Sequence, residues 1–93
     1  MNRVFGIGIV GTGAIALKHA QAISSLSNAK LLGLFNPNPT SAQKAQGNYS
    51  VPVMSDWGSF AKIPGLDVVC ICTPSGLHLE PALMAIEAGL HLF

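Results

Sequence analysis

Apolar positions follow two alternating rhythms along this chain. Val4 to Val10 is a continuous apolar run, the pattern of a strand covered on both faces. From Ala14 to about Ser27 the rhythm changes. Ile15, His19, Ala20, Ile23 and Leu26 recur at three- and four-residue spacing and predict a helix with one apolar face. Asn28, which tolerates the left-handed cap position, is the expected stop. Lys30–Phe35 predicts a second buried strand, closed by Asn36-Pro37-Asn38-Pro39, whose prolines forbid further pairing. Thr40 or Ser41 is the expected cap of a short polar helix running to about Asn48, and Val51–Val53 a short third strand limited by Pro52. Ser55-Asp56-Trp57 predicts a cap and a short helix to Ala61 or Lys62, followed by a turn at Ile63-Pro64-Gly65.

Asp67 then leads into Val68–Cys72, the second strongest strand signal, which ends at Thr73-Pro74. From Ser75 onward, Leu79, Leu83, Met84, Ile86 and Ala88 mark a fourth helix with Pro81 in its first turn. Gly89 is its expected terminator, and Leu90–Phe93 begins a fifth strand. There are no internal repeats and no low-complexity segments. The alternation of strands and helices predicts an α/β fold with a doubly wound parallel sheet. Right-handed crossovers give it the Rossmann-like strand order 3-2-1-4-5 in three layers, αβα.

Composition narrows the setting. The 93 residues are one domain's worth of chain or less, 49% hydrophobic and only 10% charged. Mean hydropathy is +0.48, whereas ordinary domains carry about 25% charged residues. Such a chain is expected to pack against something else or to be a piece of a larger protein. Net charge is +1 without a basic cluster, so neither nucleic acid nor an anionic membrane is an expected partner. No apolar segment reaches the roughly 18 residues of a membrane span. Arg3, the stretch to Leu17 and Ala20-Gln21-Ala22 imitate a secretory signal. Glycines 6, 8, 11 and 13 interrupt that stretch, and Lys18-His19 occupies the would-be cleavage region, so a cytoplasmic location is expected. Cys70 and Cys72, two apart in a strand, face the same way and are expected as buried thiols. A metal site would need ligands the sequence does not offer, and none is expected.

The chemistry concentrates at strand ends. Gly11-Thr12-Gly13-Ala14-Ile15-Ala16 lies between the first strand and the first helix. There Gly11 makes a tight turn and Gly13 lets a phosphate approach without a Cβ in the way. Ala16 adds only one methyl at the third fingerprint position. Backbone N–H groups of about residues 13 to 15 would face a pyrophosphate, aided by the helix dipole. Asn36 ends the second strand, where an acid is expected to meet the ribose hydroxyls. It can hydrogen-bond a ribose but lacks the charge that repels a 2′-phosphate. No arginine follows, and Lys44 is the nearest cation, so NAD and NADP both remain open. Thr73-Pro74-Ser75-Gly76-Leu77-His78 lies at the switch-point crevice and can line a cofactor or simply turn the chain.

Taken together, Gly-x-Gly-x-x-Ala, Ser55-Asp56-Trp57, Asp67-Val68-Val69, Thr73-Pro74-x-x-x-His78 and Glu87-Ala88-Gly89-x-His91 resemble the glucose–fructose oxidoreductase/inositol dehydrogenase family (Gfo/Idh/MocA) over essentially the whole chain. The resemblance implies that residues 1–93 are an incomplete NAD(P)-binding Rossmann domain of an oxidoreductase acting on a sugar, cyclitol or similar alcohol. It implies a pyrophosphate cradle of Gly11, Thr12, Gly13, Ala14 and Ile15, and an adenosine ribose site at Asn36. Thr73, Pro74 and His78 would line the cofactor toward its nicotinamide. Asn36 departs from the family's acid, and Ser75 from its common asparagine. The family's Glu-Lys-Pro motif, with the lysine that serves near the reacting carbon, would begin just after Phe93, and the C-terminal substrate domain is absent too.

No catalytic constellation is therefore expected in this chain, and the small-molecule substrate belongs to the full-length protein. His19 reads as a packed core histidine and His91 as structural. Asp56, Asp67, Glu80 and Glu87 form no evident carboxylate pair. Two other readings stand beside the first: a naturally short, non-catalytic nucleotide-binding module, and a cofactor-free module that self-associates. Low charge and an exposed last strand predict a homo-oligomer.

Overall fold

The computed structural model describes residues 4–72 and 89–92. Four strands assemble in the order 3-2-1-4, with a two-residue pairing beyond them. β1 (Phe5–Val10) lies at the centre, flanked by β2 (Ala29–Phe35) and β4 (Leu66–Ile71), both parallel to it. β3 (Val53–Met54) joins the far side of β2. β5 (His91–Leu92) pairs with Val68 and Val69 of β4. The predicted fourth helix, with Ser75, Glu80 and Glu87, lies outside the described residues. Gly89, its expected terminator, has φ of 77°.

Apolar side chains alternate along the strands and so feed two cores. Ile9, Leu34 and Cys70 face α1 (Ala14–Ser24), which buries Ala16, Ala20 and Ile23 against them. Val10, Phe35 and Val69 face α3 (Trp57–Ala61), which inserts the fully buried Phe60. Helix, sheet and helix form the three layers. Gly8 makes the second core possible: a Cβ there would stand 2.6 Å from the ring of Phe60.

Several local expectations are corrected by the packing. α1 ends at Ser24 rather than Ser27, because the hydroxyls of Ser24 and Ser25 donate back to the carbonyls of Gln21 and Ala22. Leu26 therefore lies past the helix and Ile15 off its buried face, 52% and 57% exposed. Asn28 takes no left-handed conformation; its carbonyl instead accepts from the Phe5 N–H at 2.9 Å. α2 (Pro39–Ala45) is capped by Asn38, whose side chain accepts from the N–H groups of Thr40 and Ser41, with Pro39 in the first turn. Thr40 and Ser41 are thus the capped residues, not the caps. A 3-10 turn at Gln46–Asn48 follows.

β3 starts two residues later than its apolar run, since Pro52 has no N–H to give and only its carbonyl serves, accepting from Leu34 N. β4 starts two residues earlier than expected. Between Gly6 and Ile7 its register slips, so that Gly6 pairs with Leu66 and Ile7 with Val68. Asp67 is the extra residue of this bulge, and its carboxylate accepts the Gly6 N–H at 3.0 Å. A charged residue inside an apolar sheet is explained by that substitution for a ladder bond.

Candidate functional site

The carboxyl ends of β1, β2, β3 and β4 are tied into one ledge by backbone hydrogen bonds. Gly11 N donates to Phe35 O, Asn36 N to Met54 O and Cys72 N to Val10 O, at 2.8, 2.9 and 2.8 Å. Gly11 has φ of 112°, a conformation that side chains resist, and turns the chain sharply out of β1. Gly13 follows as the N-cap residue of α1.

This helix start is open. Gly13, Ala14 and Ile15 are exposed, no side chain caps the helix, and its first turn holds no acid. The first intrahelical bond runs from Leu17 N to Gly13 O, so the N–H groups before it point outward at the positive end of an 11-residue helix. A Cβ built on Gly13 would meet nothing within 4 Å. The space above it is free for an anionic ligand, and the ledge places that ligand where β1 separates β2 from β4. The residues fit a pyrophosphate held by main-chain donors alone.

Asn36 has a second duty that the sequence did not disclose. Its Nδ2 donates to Thr12 Oγ1 at 2.9 Å, while its Oδ1 accepts from Asn38 N at 2.9 Å. The side chain thus pins the glycine turn to the end of β2. One N–H and one lone pair of the side chain remain beyond these two bonds. Lys44, in the last turn of α2, is exposed. Thr73, Pro74 and His78 lie outside the described residues.

On the α1 face, reading along the chain missed a cluster. His19 comes from α1 to meet Cys70 and Cys72, with one ligand atom of each within 4.8 Å of the others. Both cysteines are free; Cys70 is buried, and Cys72 only half-buried rather than fully so. Burial, then the neighbouring Cys70 sulfur, pushes the Cys72 thiol up to about 12. His19 is half-buried at the rim of the core. His91 is exposed on β5, and Asp56 caps α3 through Ser59. Of the described acids, Asp56 serves the cap of α3 and Asp67 the bulge of β4.

The fold and ledge correspond to a known family. The chain belongs to the Gfo/Idh/MocA oxidoreductase family with an NAD-binding Rossmann fold, whose model matches residues 5–93. Among curated relatives, glucose-6-phosphate 3-dehydrogenase of Bacillus subtilis is 32% identical over 92% of this chain and 24% of its own length. Scyllo-inositol dehydrogenase of Lactobacillus casei, solved with NAD(H) and scyllo-inositol, matches at 32% identity and TM-score 0.79, covering 98% of this chain and 27% of that one. The WlbA dehydrogenase of Bordetella pertussis, solved with NADH and UDP-GlcNAcA, matches at 30% identity and TM-score 0.83, covering 97% and 28%. The chain spans about a quarter of the length of these relatives. No helix among the described residues is long and apolar enough to cross a membrane.

Proposed function

We propose that this chain is the coenzyme-binding part of an NAD(P)-dependent oxidoreductase whose substrate is a sugar, a cyclitol or a related alcohol. The observation that carries the reading is the uncapped, exposed start of α1 above Gly11 and Gly13, on the ledge formed by four strand ends. The names of the relatives supply the substrate class. Gly11, Thr12, Gly13, Ala14 and Ile15 hold the pyrophosphate, and Asn36 orients the adenosine ribose while anchoring Thr12. Thr73, Pro74 and His78 are assigned to the coenzyme by the family resemblance of their motif alone. When bound, the nicotinamide supplies the hydride chemistry. This chain binds and orients the coenzyme as part of a Rossmann domain, and it spans about a quarter of the length of its relatives. The whole protein is read as a cytoplasmic homo-oligomer, a partner copy covering apolar surface that a 10% charged chain leaves.

Calorimetric titration with NADH and NADPH tests the reading. Gly13→Ala adds a methyl that meets no protein atom within 4 Å, so the fold should lose about 1 kcal/mol or less. NADH binding should weaken at least about tenfold, because the methyl enters the phosphate space. An unmodified chain that binds neither coenzyme, or a Gly13→Ala chain that binds as well as the original, overturns the assignment. Asn36→Asp sharpens it. A new charge about 4 Å from a 2′-phosphate is worth up to about 4 kcal/mol near a surface, so NADPH should lose at least about tenfold more affinity than NADH. Equal losses would leave Asn36 only its anchoring role.

A further inference from the structure

The cluster of His19, Cys70 and Cys72 carries a site that the coenzyme reading does not use. Cys70 Sγ and Cys72 Sγ stand 3.6 Å apart. Two thiolates on one tetrahedral zinc, each bonded at about 2.3 Å, stand about 3.8 Å apart. The strand backbone therefore already holds the sulfurs at the spacing of two ligands of a single ion. The third ligand comes from α1: all three ligand atoms lie within 4.8 Å of one another.

Chemistry and surroundings agree on the kind of ion. Thiolate and imidazole ligands select soft or borderline metals over magnesium and calcium. Cys70, the buried member of the cluster, packs among Ile9, Ala20 and Ile23, where uncompensated charge is costly. Two thiolates and one neutral imidazole balance the charge of a divalent ion, whereas a monovalent one would leave a net negative charge beside buried Cys70. His19 and Cys70 also line a cavity of about 430 Å³ whose other walls include Phe5, Ile7 and Leu26. We propose that His19, Cys70 and Cys72 form a three-ligand site for a divalent ion of the zinc class, at the edge of this apolar cavity. Binding replaces two thiol protons, which leave to solvent, by two metal–sulfur bonds, with no change of oxidation state.

The test uses the reduced chain and cobalt(II) as a spectroscopic probe, with no coenzyme present, so its outcome is separate from that of the NADH titration. One equivalent of cobalt(II) should give thiolate-to-metal charge-transfer absorption and tetrahedral d–d bands, and zinc should bleach both. Zinc should also protect both cysteines from alkylation. Cys70→Ala and Cys72→Ala should each abolish the tetrahedral spectrum. Because Cys70 is buried, His19→Ala provides the variant least dependent on the core. It should keep the fold by circular dichroism and lose at least about tenfold in affinity, no less than the loss of a mere outer-shell partner costs. Absence of charge-transfer absorption in the folded chain, or a spectrum and affinity unchanged in His19→Ala, overturns the proposal.

Discussion

The two faces of the sheet are packed by opposite means. On one face α1 approaches through Ala16, Ala20 and Ile23, two of them with a single methyl for a side chain. On the other, five-residue α3 is held by large rings: Phe35, Trp57 and Phe60 lie with centroids 5.3 to 5.7 Å apart. Ring pairs of this kind contribute about 0.5–1.5 kcal/mol each beyond their buried area. A helix of five residues has almost no stability of its own and needs such anchors. The longer α1 can instead be set close to β1, and that closeness brings its N-terminus to the end of the strand. The aromatic face supplies stability, and the alanine face supplies position.

The comparison breaks most visibly at Phe60. Phe60→Ala empties a fully buried site and should cost about 3–5 kcal/mol, close to the whole stability of a small domain. Chemical denaturation should find the chain largely unfolded. A loss under about 1 kcal/mol would deny the aromatic face its role.

Ala16 probes the other face. Ala16→Leu forces a larger side chain into a position with no exposed surface and should cost about 1–3 kcal/mol. Unlike a purely destabilising change, it should also weaken NADH binding in the fraction that remains folded, because α1 must lift from β1. Ala16→Gly restores the third fingerprint glycine and should cost about 1 kcal/mol through helix propensity, with NADH affinity unchanged. A gain in affinity on Ala16→Gly would mean that the alanine methyl obstructs the site.

The smallest effect concerns the cap of α3. The Ser59 hydroxyl, then its N–H, donates to the Asp56 carboxylate and holds it below its ordinary 3.8. A group with a lowered folded value stabilises fully above the unfolded value and loses that contribution as pH falls through the folded one. Thermal unfolding midpoints should therefore dip slightly further on the acid side of 3.8 for the original chain than for Asp56→Asn, which caps without titrating. Identical acid profiles would remove this carboxylate from the stability of the aromatic face.

What the sequence discloses of all this follows from range. The runs at Val4–Val10 and Lys30–Phe35 announce buried strands because both sheet faces are covered, and Gly11 and Gly13 are legible because their roles depend on neighbours in the chain. The Asp67 bulge is not legible, since it depends on how β4 slides against β1. Nor is the bond from Asn36 to Thr12, which needs Val10 and Phe35 in register. The apolar spacing in α1 nominated Ile15 and Leu26, but hydrophobicity does not tell which alanines lie beneath a helix. His19 joins the cysteines only once α1 has packed on β4.

The Asn36 bond to Thr12 also bears on how a nucleotide would be received. Gly11 is fixed to Phe35 and Thr12 to Asn36, so the turn is shaped before any ligand arrives. Ordering a residue costs about 1–2 kcal/mol, and for these residues that cost falls on folding and not on capture. A nucleotide reaching the turn then keeps more of its gross attraction as affinity, and its arrival is set by diffusion and orientation with no wait for a loop to settle.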